Sequence, residues 1–172
     1  MNNGYQLLNS SNKGEGIFAT KRFHTDDVVM VGTIENGNVD KNHSHASQMG
    51  EFKYVLHGGE ITKVNHSCNP NCGIKLNAAG AHDFVAMQTI ELDDEITFDY
   101  AMRNYNVEYF PAICCCGAKN CRGSITGWKD LPASFKSSYK GFVAPYLLEI
   151  DRKKLNSYAK PGINKAITIG IG

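Results

Sequence analysis

Three cysteines in one short polar loop constrain this chain more than any other feature of its sequence. Cys114, Cys116 and Cys121 occur in ICCCGAKNCRG with the spacing Cys-x-Cys-x4-Cys. Unrelated buried thiols would be a poor explanation for such a cluster among Gly, Lys and Asn. Structural zinc sites take four ligands in a tetrahedron, and cysteine is a preferred ligand. The loop therefore predicts three ligands of one zinc ion and requires a fourth from elsewhere.

The fourth ligand is expected from NHSCNPNC, which spans residues 65–72. Cys68 is the first candidate, and Cys72 competes with it on spacing alone. His66 beside Cys68 could indicate a Cys/His nucleophilic pair. A metal-bound cysteine is not available for that role, however, and no third orienting residue is evident in the sequence.

Most of the chain before residue 110 has the pattern of a mostly β protein. Short apolar or alternating runs are separated by Gly, Asn and Asp, which is typical of short strands. The predicted strands are Tyr5–Leu8, Ile17–Ala19, Val28–Val31, Phe52–Leu56, Phe84–Met87 and Ile96–Tyr100. Turn-rich stretches intervene, Glu35–His45 among them. The sequence does not alternate between strands and helices, which argues against a doubly wound parallel sheet.

After Cys121 the sequence indicates helices instead. Phe135, Tyr139 and Phe142 recur at helical spacing in LPASFKSSYKGF, and Pro145–Tyr158 has its apolar residues broadly on one side. The predicted fold class is thus mostly β (α+β), with one or two C-terminal helices packed on the β body. The last residues, PGINKAITIGIG, are expected to form a loosely held tail.

Composition excludes several classes of protein. The 172 residues, 42% hydrophobic and 20% charged, fit one globular domain, and a net charge of +1 argues against a dedicated nucleic-acid binder. No apolar run is long enough for a membrane span, and no signal peptide is visible, so we expect an intracellular protein. Residues 1–128 carry 14 acidic and 10 basic side chains. This excess suits a basic protein partner, although solubility alone would also explain it.

Four motifs resemble those of one family, in the same order. The segments KGEGIFAT, NHSCNPNC, ELDDEITFDY and CCCGAKNCRG are similar to the N-terminal glycine, NHSCxPN, ELxxGEEITFDY and post-SET zinc motifs of SET-domain methyltransferases. A GxG or an HxC alone would be weak, but the ordered combination is specific. The resemblance covers about Asn12 to Gly127, and the chain is most similar to the compact, free-standing members of this family.

The resemblance implies a fold, a cofactor and a metal. The SET fold consists of several small curled sheets with a knot-like core, and S-adenosylmethionine and the target lysine enter a narrow channel from opposite faces. The implied cofactor-binding residues are Gly14, Glu15, Gly16, Asn65 and His66. The implied ligands of one structural zinc ion are Cys68, Cys114, Cys116 and Cys121, which leaves Cys72 and Cys115 as spare thiols.

The implied catalytic residues are Tyr100 and Phe98. Methyl transfer to lysine is an in-line displacement, so positioning is the main contribution of the protein, and the Tyr100 hydroxyl would orient the amine. In the family a phenylalanine at the position of Phe98 leaves room for more than one methyl group. We therefore expect di- or trimethylation, although a role for Phe98 in the core is also compatible.

One wall of the implied lysine channel departs from the family. Met30 stands in VMVG where many members have a tyrosine, and Tyr54, Tyr105 and Tyr109 are candidates to replace it. The stretch between residues 39 and 58, which forms much of the peptide groove in the family, is short here.

The expected function is that of an S-adenosylmethionine-dependent protein-lysine N-methyltransferase. Its partner would be a lysine-bearing protein or peptide, with a histone tail favoured and nucleic acid not required; the oligomeric state is open. Alternatives are the same chemistry on a non-histone protein, or a non-catalytic zinc-stabilised module that binds protein or nucleic acid. The presence of Tyr100, Asn65 and His66 favours an enzyme.

The predicted organisation has four parts. A SET domain spans residues 4–109, a post-SET zinc motif residues 110–128, a helical extension residues 129–160 and a tail residues 161–172.

Overall fold

The structure is a computed structural model that describes residues 3–10, 13–43, 45–109 and 113–158. The strands in these residues are β1 (Tyr5–Ser10), β2 (Gly14–Ala19), β3 (Val28–Met30), β4 (Ile34–Val39), β5 (Ala46–Gly50), β6 (Lys53–His57), β7 (Asn65–His66), β8 (Cys72–Leu76), β9 (His82–Ala86) and β10 (Glu95–Phe98). Two helices follow, α1 (Ala133–Ser138) and α2 (Pro145–Tyr158). The prediction of a mostly β chain with C-terminal helices is confirmed. The predicted tail, 161–172, lies outside the described residues.

The first sheet brings three of the four motifs together. Its strand order is β1-β2-β10-β7, and β7 runs parallel to β10 with Asn65 opposite Thr97 and His66 opposite Phe98. Gly16 allows this close packing, because a Cβ atom there would lie 2.7 Å from Glu95 Oε1. The glycine strand, the NHSC segment and the FDY segment are therefore neighbours in space.

The other two sheets each have three strands, in the orders β3-β9-β8 and β4-β6-β5. The prediction of a turn-rich stretch from Glu35 was wrong for the residues of β4. All residues of β4 are exposed except Val39, so no alternation of apolar and polar residues marks it as a strand. Its pairing with β6 defines it instead, and such long-range pairing leaves no local signal.

The FDY segment leaves its strand one residue after Phe98. The predicted strand Ile96–Tyr100 ends there because Asp99 Oδ1 accepts a hydrogen bond of 3.0 Å from the Ala101 backbone N–H. This caps a short 3-10 turn over Tyr100–Met102. Tyr100 therefore turns away from the strand direction of β10.

The C-terminal helices complete the same hydrophobic core as the sheets. Helix α2 has the predicted bounds, whereas α1 ends at Ser138, before the predicted pattern is finished. Gly141 follows with φ at +86°, and the Phe142 carbonyl accepts a hydrogen bond of 2.9 Å from the Ile74 N–H of β8. Trp128 and Leu147 are buried in the central cluster. Among the described residues, no helix is both long and apolar enough to cross a membrane.

Candidate active site and metal centre

Four cysteines from distant segments converge on one point. The Sγ atoms of Cys68, Cys114, Cys116 and Cys121 all lie within 4.8 Å of one another, and those of Cys68 and Cys114 are 3.9 Å apart. A zinc tetrahedron with Zn–S bonds near 2.3 Å requires about 3.8 Å between sulfurs. All six cysteines are free of disulfides. The donor set therefore fits a structural zinc ion.

The two remaining cysteines lie outside this cluster. Cys72 is fully buried in β8 within the hydrophobic core, and burial raises the pKa of its thiol. Cys115 is exposed. The choice between Cys68 and Cys72 that the spacing left open thus falls on Cys68.

The cluster contains one thiol that ionises readily. Burial acts to raise the pKa of Cys116, but hydrogen bonds from the backbone N–H groups of Cys68 and Ala118 outweigh it and lower the pKa to about 7. Burial raises the pKa of Cys68 to about 11. Because zinc binds thiolates, this lowered pKa favours metal binding by Cys116.

Two cavities lie beside the glycine strand, and we call them the β2 cavities. The first has a volume of about 240 Å³ and is lined by Lys13, Glu15, His45, Thr62, Lys63, Asn65 and Tyr100. The second has a volume of about 460 Å³ and is lined by Asn9, Ser10, Lys13, Phe18, Glu95, Cys115, Cys116 and Gly117. Lys13 borders both cavities, and the cysteine loop forms a wall of the second.

Directional hydrogen bonds fix the side chains around the β2 cavities. Asn65 Nδ2 donates to the Glu15 carbonyl at 3.0 Å and to Glu95 Oε1 at 2.9 Å. Lys13 forms an ion pair with Glu95. Sequence reasoning missed both partners of this pair, since Glu95 had the appearance of part of a solvated acidic turn.

The five predicted cofactor-binding residues take different positions. Glu15 and Asn65 line the first β2 cavity, while Gly14, with φ at +77°, and Gly16 supply the backbone of β2 beside it. His66 is buried behind this surface. Its Nδ1 accepts a hydrogen bond of 3.3 Å from the Tyr100 N–H, and its Nε2 lies 3.4 Å from Cys68 Sγ. Burial lowers the pKa of His66 to about 4, so the imidazole is neutral.

Tyr100 lines the first β2 cavity and contacts His66. Its ring packs against His66 and Phe98, with centroid distances of 5.2 and 5.0 Å. Its hydroxyl donates to the Val64 carbonyl at 3.4 Å. Burial raises the pKa of Tyr100 to about 12. The phenol therefore remains protonated at physiological pH.

A third cavity, which we call the tyrosine cavity, does not include Tyr100 in its lining. It has a volume of about 420 Å³ and is lined by Asn42, Gln48, Glu51, Phe52, Tyr54, Tyr105, Asn106, Glu108 and Tyr109. Tyr54, Tyr105 and Tyr109, the candidates to replace the tyrosine that is absent at Met30, thus line one cavity. Tyr109 donates to Asn42 Oδ1 at 3.1 Å, and its phenol lies close enough to Tyr100 to contribute to the raised pKa of that residue.

Arg103 is a buried cation that packs against Phe98. Its guanidinium carbon lies 5.1 Å from the ring centroid of Phe98, and its Nε has no hydrogen-bond partner. Arg103 forms no ion pair within the described part of the chain. Burial lowers the pKa of this guanidinium. Sequence analysis gave no indication of Arg103, because nothing near it marks a buried charge.

Phe98 is enclosed by these same groups. It is 1% exposed, and its ring meets Phe84 edge-on at a centroid distance of 4.7 Å. Tyr100 and Arg103 cover other parts of the ring. The predicted product-determining residue is therefore also a core residue.

Comparison with known proteins finds a family model and curated relatives that are similar to this chain. Residues 14–101 match the family model described as SET domain. The chain is 30% identical over 118 residues to "Histone-lysine N-methyltransferase ATXR3" of Arabidopsis thaliana, covering 64% of this chain and 5% of that protein. It is 37% identical over 65 residues to "Histone-lysine N-methyltransferase SETD1B" of Homo sapiens, covering 36% and 3%. The chain thus spans only a small part of these curated relatives.

Solved structures share the fold. The methyltransferase domain of human SETMAR has a TM-score of 0.56 at 17% identity, covering 72% of this chain and 58% of that chain. A structure of KRYPTONITE in complex with mCHH DNA, an H3(1-15) peptide and SAH has a TM-score of 0.55 at 21% identity, covering 70% and 29%. Since the family model also matches about half of the residues, the chain belongs to the SET domain family.

Proposed function

We propose that this protein transfers methyl groups from S-adenosylmethionine to the ε-amine of a protein lysine. The observation that carries the proposal is the position of Tyr100. The residue lines the first β2 cavity, and its phenol lies near Tyr109 of the tyrosine cavity. A protonated hydroxyl that borders one cavity and lies near a tyrosine of another is suited to orient two reactants toward each other.

The β2 cavities are proposed to hold the cofactor. Bound S-adenosylmethionine supplies an electrophilic methyl group on a sulfonium sulfur. The backbone of Gly14, Glu15 and Gly16 and the amide of Asn65 would hold it from one side, and the cysteine loop would close the other. Lys13 offers a positive group for the carboxylate of such a ligand.

The tyrosine cavity is proposed to admit the lysine side chain. A free lysine amine has a pKa near 10.4 and must lose its proton before it can attack. Burial among aromatic rings lowers the pKa of an amine, and a nearby positive charge acts in the same direction. Arg103, buried without an ion-pair partner among the described residues, supplies such a charge behind Phe98 and Tyr100.

Tyr100 is proposed to act by positioning rather than as a base. Its pKa of about 12 keeps the hydroxyl protonated, and a protonated phenol accepts the proton of an ammonium poorly. It can instead hold the amine and the methyl group in line by hydrogen bonding. The zinc ion would have an architectural role only, since the four sulfurs complete its coordination.

The substrate is proposed to be a basic peptide, with a histone tail favoured. Glu51 and Glu108 line the tyrosine cavity and are exposed, and no lysine or arginine belongs to its described lining. The printed names of the curated relatives refer to histone lysine. Di- or trimethylation is proposed because Phe98 lacks the hydroxyl that a tyrosine would place at this position.

The test is incubation of the purified protein with S-adenosylmethionine and a panel of histones and other basic proteins, followed by mass spectrometry of lysine residues. We expect methylated lysine, and the identity of the acceptor distinguishes a histone from a non-histone substrate. Tyr100→Phe should bind the cofactor normally yet lose roughly 100-fold or more in turnover. Cofactor binding without transfer to any acceptor, or near-normal turnover of Tyr100→Phe, would contradict the proposal.

A further inference from the structure

A tyrosine from the segment after the cysteine loop reaches the residue that precedes Tyr100. Tyr139 is 3% exposed, and its hydroxyl donates to Asp99 Oδ2 at 2.9 Å. Burial and the negative charge of Asp99 raise the pKa of Tyr139, so this hydroxyl stays protonated and donates. Residues 129–150 therefore do more than cover the core: one of them is bonded directly to the FDY segment.

The carboxylate of Asp99 is fully buried and holds several donors at once. Arg122 donates from Nη1 to Oδ2 at 2.6 Å and from Nη2 to Oδ1 at 3.0 Å. The Ala101 backbone N–H donates to Oδ1 at 3.0 Å. A buried ion pair is favourable only when its remaining hydrogen-bonding capacity is also satisfied. The Tyr139 hydroxyl contributes to that satisfaction on the Oδ2 side.

Arg122 connects this network to the cysteine cluster. It directly follows Cys121, and its backbone N–H donates to Cys68 Sγ at 3.5 Å. Its guanidinium also lies over the ring of Phe135 in α1, 5.0 Å from the centroid. The same cysteine loop supplies Cys115, Cys116 and Gly117 to the wall of the second β2 cavity. A displacement of Arg122 would therefore disturb the hydrogen bond to Cys68 Sγ and shift the wall of the second β2 cavity.

We infer that Tyr139 is a positioning residue: by fixing Asp99 it fixes Arg122, and so it holds the cysteine loop in place as a wall of the second β2 cavity. Its effect on cofactor binding rests on the function proposed above, whereas its effect on the metal does not. Groups that hold the partners of metal ligands commonly change metal affinity without touching the metal.

The test compares Tyr139→Phe with Tyr146→Phe. Tyr146 is a suitable control because it is also buried and also loses one hydrogen bond, from its hydroxyl to the Arg103 carbonyl at 2.7 Å, but it does not contact Asp99. Both variants should lower the thermal unfolding temperature. Only Tyr139→Phe should speed zinc release to a chromogenic chelator, by roughly 10-fold, and weaken S-adenosylmethionine binding measured by calorimetry.

A double-mutant cycle separates positioning from general destabilisation. In an Asp99→Asn background, Tyr139→Phe should add little to the rate of zinc release, because both changes interrupt the same connection. Additive effects, or equal zinc release by Tyr139→Phe and Tyr146→Phe, would overturn the inference. Neither zinc release nor calorimetry depends on turnover, so a failure to methylate any protein would leave this result standing. If the purified chain carries no zinc, an unchanged cofactor affinity in Tyr139→Phe overturns the inference.

Discussion

The β2 cavities and the tyrosine cavity differ in the side chains that line them. Around the β2 cavities, directional bonds fix the side chains, as where Asn65 donates to both Glu15 and Glu95. The tyrosine cavity also has directional bonds, such as that from Tyr109 to Asn42, but aromatic rings and exposed carboxylates make up much of its lining, and Phe52 at its edge is 85% exposed. The lining of the first β2 cavity includes two lysines, whereas the described lining of the tyrosine cavity includes aromatic rings, two glutamates and no lysine or arginine.

Under the proposed function, this difference indicates which reactant the β2 cavities and the tyrosine cavity each select. A small cofactor of one structure is recognised by fixed polar groups, whereas a peptide that varies in sequence is recognised by shape and by overall charge. Substitutions around the β2 cavities and substitutions in the tyrosine cavity should therefore affect different kinetic parameters. Variants near the β2 cavities should alter the KM for S-adenosylmethionine, and variants in the tyrosine cavity should alter the KM for the peptide.

The largest effect is expected from breaking the metal centre. Cys114→Ser removes a buried ligand, and a structural zinc ion contributes on the order of 10 kcal/mol to the folding of small zinc domains. The variant should lose zinc, lose most activity and unfold at a much lower temperature. Elemental analysis and calorimetry measure these losses.

Cys115→Ser is the matched control for that experiment. Cys115 is adjacent to Cys114 in sequence but exposed and outside the sulfur cluster. We expect it to retain full zinc content. A zinc content equal in the two variants would remove Cys114 from the metal centre.

A smaller effect is expected on the product rather than on the rate. Phe98→Tyr adds a hydroxyl in a site already enclosed by Phe84, Tyr100 and Arg103. The product should shift toward monomethyl-lysine, because the added group occupies space that further methyl groups need. Mass spectrometry of a time course measures the ratio of methylation states, and an unchanged ratio would show that Phe98 acts only in the core.

The charge of the tyrosine cavity is tested by neutralising Glu51 and Glu108 together with Gln. Exposed charges interact with a ligand by about 0.2 to 1 kcal/mol each, so removal of both should raise the KM for a basic peptide by roughly 2- to 30-fold. The KM for the cofactor should stay constant. Glu35→Gln, an exposed carboxylate in β4, is the control. A rise in KM that persists at high salt would contradict an electrostatic origin.

The smallest effect concerns the acid stability of the buried pair His57 and His82. His57 stacks on His82, and burial lowers the pKa of His57 to about 4, with Arg103 acting in the same direction and Asp83 opposing it. The unfolded chain therefore takes up the proton first, so this contribution to stability is present above pH 6.5 and is lost as the pH falls toward 4.

Urea denaturation between pH 7.5 and 4.5 measures this contribution. In His57→Gln the free energy of unfolding should decline less steeply with acid than in the wild type. His24→Gln, at an exposed histidine, should leave the slope unchanged. Equal slopes for all three proteins would show that His57 does not titrate differently in the folded state.

Local patterns in the sequence were sufficient for several parts of the molecule. The bounds of α2 followed from helical spacing, and the cysteine loop followed from its own spacing, because in both cases the interacting residues are close together in the chain. The segments around Gly16, Asn65 and Tyr100 were recognisable as motifs. Their assembly into one sheet was not predicted, because it pairs strands that are far apart in the chain.

The sequence by itself thus determined the class of fold, the cysteine loop and the motifs that contain Gly16, Asn65 and Tyr100. Only the tertiary structure decided between Cys68 and Cys72, grouped three tyrosines into one cavity and linked Tyr139 to Asp99 across 40 positions of the chain. The physical reason is that periodicity and spacing report on neighbours along the backbone. The environment of a buried charge such as Asp99 or Arg103 is set by residues that the fold brings from elsewhere.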